Sequence, residues 1–378
     1  MTRSATRYLV LTFASFDALH PSVTSPQSYV PHIRRAATRS CTSSSSSEET
    51  LLVIVIRTKT KDTRFPWSTT TTGNTSQGST SCSSSSASAS ASSPHPSSYG
   101  WSILQPLLSV CYSTATRVFI DHDQCTRRVH VVVEEMRGIP VCLPNPPQDD
   151  ESESNLVIKC DIEPTPMEQT LRDDLGSDHA EKEDYYPVVA LGGTFDHLHA
   201  GHKILLTLAA SLALRKLIVG VTGGVSFFHI VLLGKEVVLI QNRATRADTQ
   251  LLTTKKYHQF LEPIEQRIQT TRDFLEWVRP GIEHHIVPIQ DPYGPTATEA
   301  DIQAIVVSEE TRAGGQAVNK KRLEASFNEL DIWVIELMAD EPEASENASK
   351  GPKVEVESKM GSTAIRKWLS EKAGQTKT

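Results

Sequence analysis

The chain of 378 residues is short of the features that usually assign a function at sight. Its six cysteines are Cys41, Cys82, Cys111, Cys125, Cys142 and Cys160, and none follows. They form no CxxC pair and stand at no zinc-like spacing from histidine, so neither a disulfide scaffold nor a metal centre is expected. A reducing compartment is the default. Long apolar runs are also missing. The longest early one, Leu51 to Ile56, falls far short of the ~20 residues that cross a bilayer, so no membrane partner is expected. Positive charge is not in excess: 38 Lys and Arg face 45 Asp and Glu, a net −7, which removes the basic footprint of a nucleic-acid binder. No GxxxxGK[ST] phosphate loop occurs, so a second, kinase activity of that type is not expected.

Serine, threonine and early arginine are plentiful instead. Arg3, Arg7, Arg34, Arg35 and Arg39, with Asp17 as the one early acid, resemble a mitochondrial leader, but a disordered basic tail is the favoured reading. The expected location is cytoplasmic, with mitochondrial association as the second reading. Residues 1–100 read as a disordered low-complexity arm, from runs such as Thr69 to Thr72 and Ser83 to Ser86. Residues 101–143 read as a small folded element with strands at Ile103 to Leu108, Val118 to Ile120 and Val129 to Val133. Residues 144–186 are an acidic, proline-bearing linker.

From Pro187 to about residue 372 the texture becomes an alternation of strands and helices, the pattern of a doubly wound α/β fold with a parallel five-stranded sheet; 373–378 are a tail. Strands are expected at Val188 to Leu191, Leu217 to Val221, Glu283 to Pro288, Ala304 to Ser308 and Ile332 to Leu337. Helices are expected at about His199 to Arg215, Pro263 to Val278, Gly314 to Leu330 and, capped by Ser362, to Lys372. Between the first strand and first helix stands Gly192-Gly193-Thr194-Phe195-Asp196-His197-Leu198-His199-Ala200-Gly201-His202. Ligands of such sheets sit at the carboxyl ends of strands, against the next helix N-terminus. Glycines there let the backbone approach a phosphate, and residues three apart put His199 and His202 on one helix face. Gly201 between them leaves room for a nucleotide. Two imidazoles at a helix N-terminus suit the charge on a transferring phosphate.

This string resembles the HxGH nucleotidylyltransferase superfamily, which has a Rossmann-like fold. The remaining blocks resemble the eukaryotic type of phosphopantetheine adenylyltransferase, an enzyme family of coenzyme A biosynthesis. They are Lys255-Lys256-Tyr257 through Pro263 with Arg267; Asp291-Pro292-Tyr293-Gly294-Pro295-Thr296; Ser308-Glu309-Glu310-Thr311 with Gly314, Gly315 and Asn319; and Gly361-Ser362-Thr363-Ala364-Ile365-Arg366. The resemblance implies ATP and 4′-phosphopantetheine as substrates, Mg²⁺ with the ATP, and dephospho-coenzyme A and pyrophosphate as products, with no covalent intermediate. It implies His199, His202 and Lys255 as catalytic groups, and Thr194 with Lys255 as holders of the acceptor phosphate. Gly193, Thr194, His199, Gly201, His202, Ser308, Glu309, Glu310, Ser362, Thr363 and Arg366 are the implied ATP contacts. Other enzymes of the pathway are expected as partners of the N-terminal arm. No dephospho-coenzyme A kinase is expected, since the phosphate loop is missing.

Two departures from the family stand out. Gly361 takes the place of a serine, and residues 225–250 are extra. The extra stretch reads either as a retained intron, Val225-Ser226 and Gln250 being encodable by consensus splice sites, or as a hairpin over the active site. Other readings of the whole stay open: another HxGH enzyme (a cytidylyl- or mononucleotide adenylyltransferase), or a non-catalytic scaffold disabled by the insertion.

Overall fold

Short runs of Val, Ile and Leu build two parallel sheets. The computed structural model describes residues 6–42, 50–61, 99–143, 157–163, 185–223, 255–335 and 361–375, and the backbone of 228–233 and 236–241. The first sheet uses β1 (Thr6–Phe13), α1 (Val30–Cys41), β2 (Leu51–Thr58), α2 (Tyr99–Asp121), β3 (Arg128–Val133), α3 (Glu134–Arg137) and β4 (Val157–Asp161), with strand order β3-β2-β1-β4, all parallel. This corrects the expectation of a disordered arm, for residues 6–42 and 50–61. Leu51 to Ile56 are buried throughout because β2 is flanked by strands on both sides and covered on both faces. Arg34 and Arg35, read as part of a leader, lie on the exposed face of α1. The serine and threonine runs at 69–72 and 83–86, and most of the 144–186 linker, lie outside the described residues.

The strands expected at 103–108 and 118–120 are instead one helix, α2, which carries Pro106 inside it. Its buried residues Ile103, Leu104, Leu107, Leu108, Cys111, Tyr112, Ala115 and Phe119 keep helical spacing, and packing on α1 along that stripe outweighs the proline. By length and composition this helix could cross a membrane, yet its apolar stripe forms the core.

The second sheet is the expected one. It is built from β5 (Tyr186–Gly193), α4 (Ala200–Leu212) and β6 (Ala213–Thr222), then α5 (Ile264–Val278), β9 (Glu283–Ile289), β10 (Ala304–Ser308), α6 (Arg312–Glu324), β11 (Asp331–Ile335) and α7 (Ser362–Gln375). Strand order is β11-β10-β5-β6-β9, all parallel, so the order reverses between β5 and β10. Helix α4 stops short of Arg215 because Ala213 already pairs with Tyr186 in the sheet. Helix α6 ends before Leu330, and Ser326 beyond it is left-handed, with φ 60°. Ser362 opens α7 rather than capping it: its hydroxyl donates to the Asp196 carbonyl at 2.9 Å.

Residues from both sheets share one core. Helix α2 packs on α4, and Trp101 meets Trp333 with ring centroids 5.1 Å apart. Arg279, buried, donates to the Met136 carbonyl at 2.6 Å, and Arg137 to that of Trp277 at 3.0 Å.

The extra stretch carries β7 (Phe228–Leu233) and β8 (Glu236–Gln241), an antiparallel pair that, among the described residues, joins neither sheet. The chain leaves the second sheet at Gly223, whose N–H donates to Ile289 at 3.1 Å. The hairpin's self-contained pairing leads to an expected outcome. A chain lacking residues 225–250 should unfold at the same urea midpoint as the full chain, within about 0.5 kcal/mol; a loss of several kcal/mol would show that the stretch supports the fold.

Candidate functional site

The carboxyl ends of the central strands lie level. Gly193 pairs with Val221, which pairs with Pro288, while Leu191 pairs with Val306 two residues before Ser308. The loop from Thr194 to His199 leaves this edge and enters α4. Two of its residues are left-handed without being glycine, Phe195 at φ 49° and His197 at φ 46°, each costing about 1–3 kcal/mol. Neighbours hold them there. Phe195 is fully buried. The His197 N–H donates to Glu262 at 2.7 Å and its ring meets the Phe260 carbonyl at 2.7 Å. A Cβ on Gly193 would stand 3.1 Å from the Phe195 ring, so the glycine is needed for this close turn.

A cavity of about 410 Å³ opens at this edge, lined by Thr194, His202, Lys255, Lys256, Gly361, Ser362, Thr363, Ala364 and Arg366. It gathers side chains from three distant segments. The Lys255 ammonium donates to the Thr194 hydroxyl at 2.7 Å, so Lys255 rather than Lys256 is turned toward that threonine. Burial, then the nearby Arg366, hold the Lys255 amine below its ordinary value. The His202 ring stacks on that of His199, with centroids 3.9 Å apart, and both rings leave Nδ1 without a hydrogen bond. Burial is also the main cause that keeps both imidazoles neutral: His199 is pushed down to about 4, with Lys203 as the next cause, and His202 is held well below its usual value.

Two charged staples shape the cavity. Asp196 is fully buried, accepts from the Glu262 N–H at 3.0 Å, and forms an ion pair with Arg366. Arg366 also donates to the Lys256 carbonyl at 3.1 Å and the Thr363 hydroxyl at 3.1 Å. Arg267 is 1% exposed and donates to the carbonyls of Thr194 and Thr222, both at 2.7 Å, and of Glu262 at 3.0 Å. Arg366, expected as an ATP contact, thus also ties the start of helix α7 to the loop. The opposite charges of the aspartate in GTFD and the arginine in STAIR were the only sequence signal for this pair.

The other expected residues divide. Thr194, His202, Lys255, Ser362, Thr363 and Arg366 meet in the cavity. His199 stands behind His202 and faces a second cavity, between the sheets. Gly201 lies in the first turn of α4, between the two histidines. Ser308 closes on Thr311 as a reciprocal cap, and Glu309 and Glu310 are exposed at the end of β10, level with Gly193. The Asp291 carboxylate holds a turn by accepting from the N–H groups of Tyr293 and Gly294, both at 2.8 Å. Gly294 has φ +47° and a Cβ there would lie 2.7 Å from Ile289, so only glycine fits.

Lys203, one residue beyond His202, was overlooked. A lysine on the apolar face of a helix was the available signal. It is 4% exposed, and its ammonium donates to the Val129 carbonyl of β3 at 2.9 Å. Burial, with Arg128 next, lowers its amine to about 7. The folded value lies below the unfolded one, so the penalty for burying the cation is complete below pH 7 and is relieved as pH rises toward 10.5. Stability should therefore climb between those limits, by at most about 1.4 kcal/mol per pH unit. Urea midpoints at pH 7 and pH 9 check this, and Lys203→Met should flatten the rise; an equal rise in the variant would assign it elsewhere.

A family described as cytidylyltransferase-like matches residues 190–246. An uncharacterized protein of Schizosaccharomyces pombe is 36% identical over 203 residues, covering 53% of this chain and 54% of that protein. A phosphopantetheine adenylyltransferase of Saccharomyces cerevisiae is 31% identical over 193 residues, covering 51% and 52%. The chain therefore spans about half the length of these two relatives. A phosphopantetheine adenylyltransferase of Methanopyrus kandleri is 32% identical over 152 residues, 40% of this chain and 80% of that protein. With its GGTFDHLHAGH turn at the switch point of a doubly wound sheet, the chain belongs to the phosphopantetheine adenylyltransferase family.

Proposed function

We propose that the cavity at the end of β5 transfers the adenylyl group of ATP to the phosphate of 4′-phosphopantetheine, releasing pyrophosphate and leaving dephospho-coenzyme A. The observation that carries this reading is the convergence of Thr194, Lys255, His202, Ser362 and Thr363 on one cavity of about 410 Å³. In the proposed step an acceptor phosphate oxygen attacks the α-phosphorus. A new P–O bond forms as the bond to the bridging oxygen of pyrophosphate breaks. The acceptor is already ionised at neutral pH, so no general base is required. Positioning and neutralisation of charge supply the rate.

Thr194 and Lys255 hold the acceptor phosphate in this reading. The first turn of α7, with the hydroxyls of Ser362 and Thr363 and the N–H of Gly361, receives the β- and γ-phosphates. A neutral His202 donates a hydrogen bond to the α-phosphate oxygens, and its stacked partner His199 fixes its orientation. Mg²⁺ enters on the phosphates of ATP. The nearby Asp196, His197 and Glu262 bring ligand atoms within 4.8 Å of one another, but the Asp196 carboxylate already holds Arg366 and the Glu262 N–H. These residues are therefore not offered as a resident metal site.

The test is nucleotide and acceptor choice. Pyrophosphate release is expected with ATP and 4′-phosphopantetheine together, and not with CTP, nor with nicotinamide mononucleotide as acceptor. Release with either of those instead would move the chain to another HxGH activity. No release with any pair would leave a scaffold.

A further inference from the structure

The second cavity is separate from the one just described. It has a volume of about 430 Å³ and lies between the two sheets, with β3 and the end of α2 on one side and α4, α5 and α7 on the other. That volume is in the range of small-molecule sites. Its polar groups are sorted by sign. Arg127 and Arg128, just before and at the start of β3, stand on one wall, and Lys203 reaches across from α4 to the Val129 carbonyl of that strand. Glu262 and Asp273 stand on the α5 side, and each carboxylate has local donors: Glu262 accepts from the His197 N–H and from Gln266, and Asp273 from Gln269 at 2.7 Å. On the cationic side, donors are left over at Arg127 and Lys203. The Arg127 guanidinium uses Nε on Gln124 at 2.7 Å and keeps a buried Nη1 without a partner. His130, 7% exposed, has its Nδ1 unpartnered. Of the three protons on a charged Lys203 ammonium, one is directed at the Val129 carbonyl. Phe119, Phe274, Ile365 and Leu369 supply the apolar floor.

We propose that this cavity is a binding site for a small phosphorylated molecule, its phosphate on Arg127, Arg128 and Lys203, and its hydrogen-bond donors toward Glu262 and Asp273. A buried lysine and a half-buried arginine facing an open cavity, with donors left over, are the arrangement a phosphate completes. The other titratable groups of the cavity do not compete for it. Burial, then Lys203 and Arg128, keep His130 neutral, and burial keeps the Cys125 thiol protonated by raising it. The depressed Lys203 amine fits a cation awaiting its counter-ion. The site also has a route to the first cavity, since His199 lines it and stacks on His202. An occupant would change the field on the histidine pair. The first sheet thereby gains a role in the protein beyond packing.

The experiment uses the full chain and ³²P-labelled inorganic phosphate in equilibrium dialysis. Arg127→Gln should weaken one class of phosphate site about tenfold, the worth of one charge-assisted hydrogen bond, while Arg127→Lys should retain most of it. Lys255→Ala should leave this class intact, because it alters the other cavity. Lys203→Met is the second variant, and it adds a readout of its own. Sulfate, which does not titrate near neutrality, should drive proton uptake at pH 8 in the wild type, seen as a buffer-dependent heat, and not in Lys203→Met. Phosphate binding unchanged by both Arg127→Gln and Lys203→Met would overturn the proposal. So would loss of all phosphate binding in Lys255→Ala. Neither readout depends on turnover, so a failed adenylyl-transfer assay would leave this site to stand or fall separately.

Discussion

Replacing His202 by alanine is expected to lower kcat for pyrophosphate release by about 10²–10³, the usual effect of removing one donor aimed at transition-state charge. The imidazole is the one ring of the histidine pair that lines the cavity with Thr194 and Lys255. It is held there by stacking on His199 and by a tilted contact with Phe195 at 5.2 Å. Burial keeps it neutral, so in the proposed step it would serve as a hydrogen-bond donor and not as a charge. The rate should therefore show no loss as pH rises through 6.5, where an exposed histidine would lose its proton. KM for ATP should change much less than kcat, because the α-phosphate gains its charge late. A change confined to KM would mean that His202 only helps to bind ATP.

The second large effect concerns stability. Asp196→Ala should destabilise the chain by about 3–5 kcal/mol, because it leaves the Arg366 guanidinium buried without its counter-charge. Side-chain exposure is 2% for Arg366 and 0% for Asp196, so water cannot take over. A folded domain has only about 5–15 kcal/mol to lose, so a shift of this size is easily read in a urea titration. The damage should be local as well as global. Asp196 joins the loop after β5 to the Glu262 N–H and, through Arg366, to the Lys256 carbonyl and Thr363. Asp196→Ala combined with Arg366→Met should recover much of the stability while the cavity stays misaligned, so stability returns and turnover does not. Recovery of both would reduce the pair to a packing device.

The second sheet was legible because most of its strands hold a compact apolar run, although β9, with Glu283, His284 and His285, does not. The strand expected at Ala304 to Ser308 matches the observed one. That Thr194, Lys255, His202, Ser362 and Thr363 belong to one site was implied by the family resemblance, and they line one cavity. Legibility failed in two physical situations. Long-range charge pairing has no local signature: Asp196 and Arg366 stand 170 residues apart. In the first sheet, arginine and threonine masked the pattern. Thr6 to Phe13 buries Arg7, Leu9, Val10, Leu11 and Phe13, yet Arg7 and the exposed Arg34 and Arg35 give the segment the look of a leader. Pro106 sits inside a helical stripe from Ile103 to Phe119, and the apolar run Ile103 to Leu108 that spans it reads as a strand. Lys203 was hidden by its neighbours, because the histidines beside it drew the chemistry to themselves.

The most direct test of adenylyl transfer is to identify both products. Purified full chain would be given ATP, Mg²⁺ and 4′-phosphopantetheine, and the mixture resolved by mass spectrometry with pyrophosphate measured in parallel. Dephospho-coenzyme A and pyrophosphate should form in equal amounts, depend on the acceptor, and fall together in His202→Ala. Pyrophosphate without dephospho-coenzyme A, or equal product from wild type and variant, would contradict it.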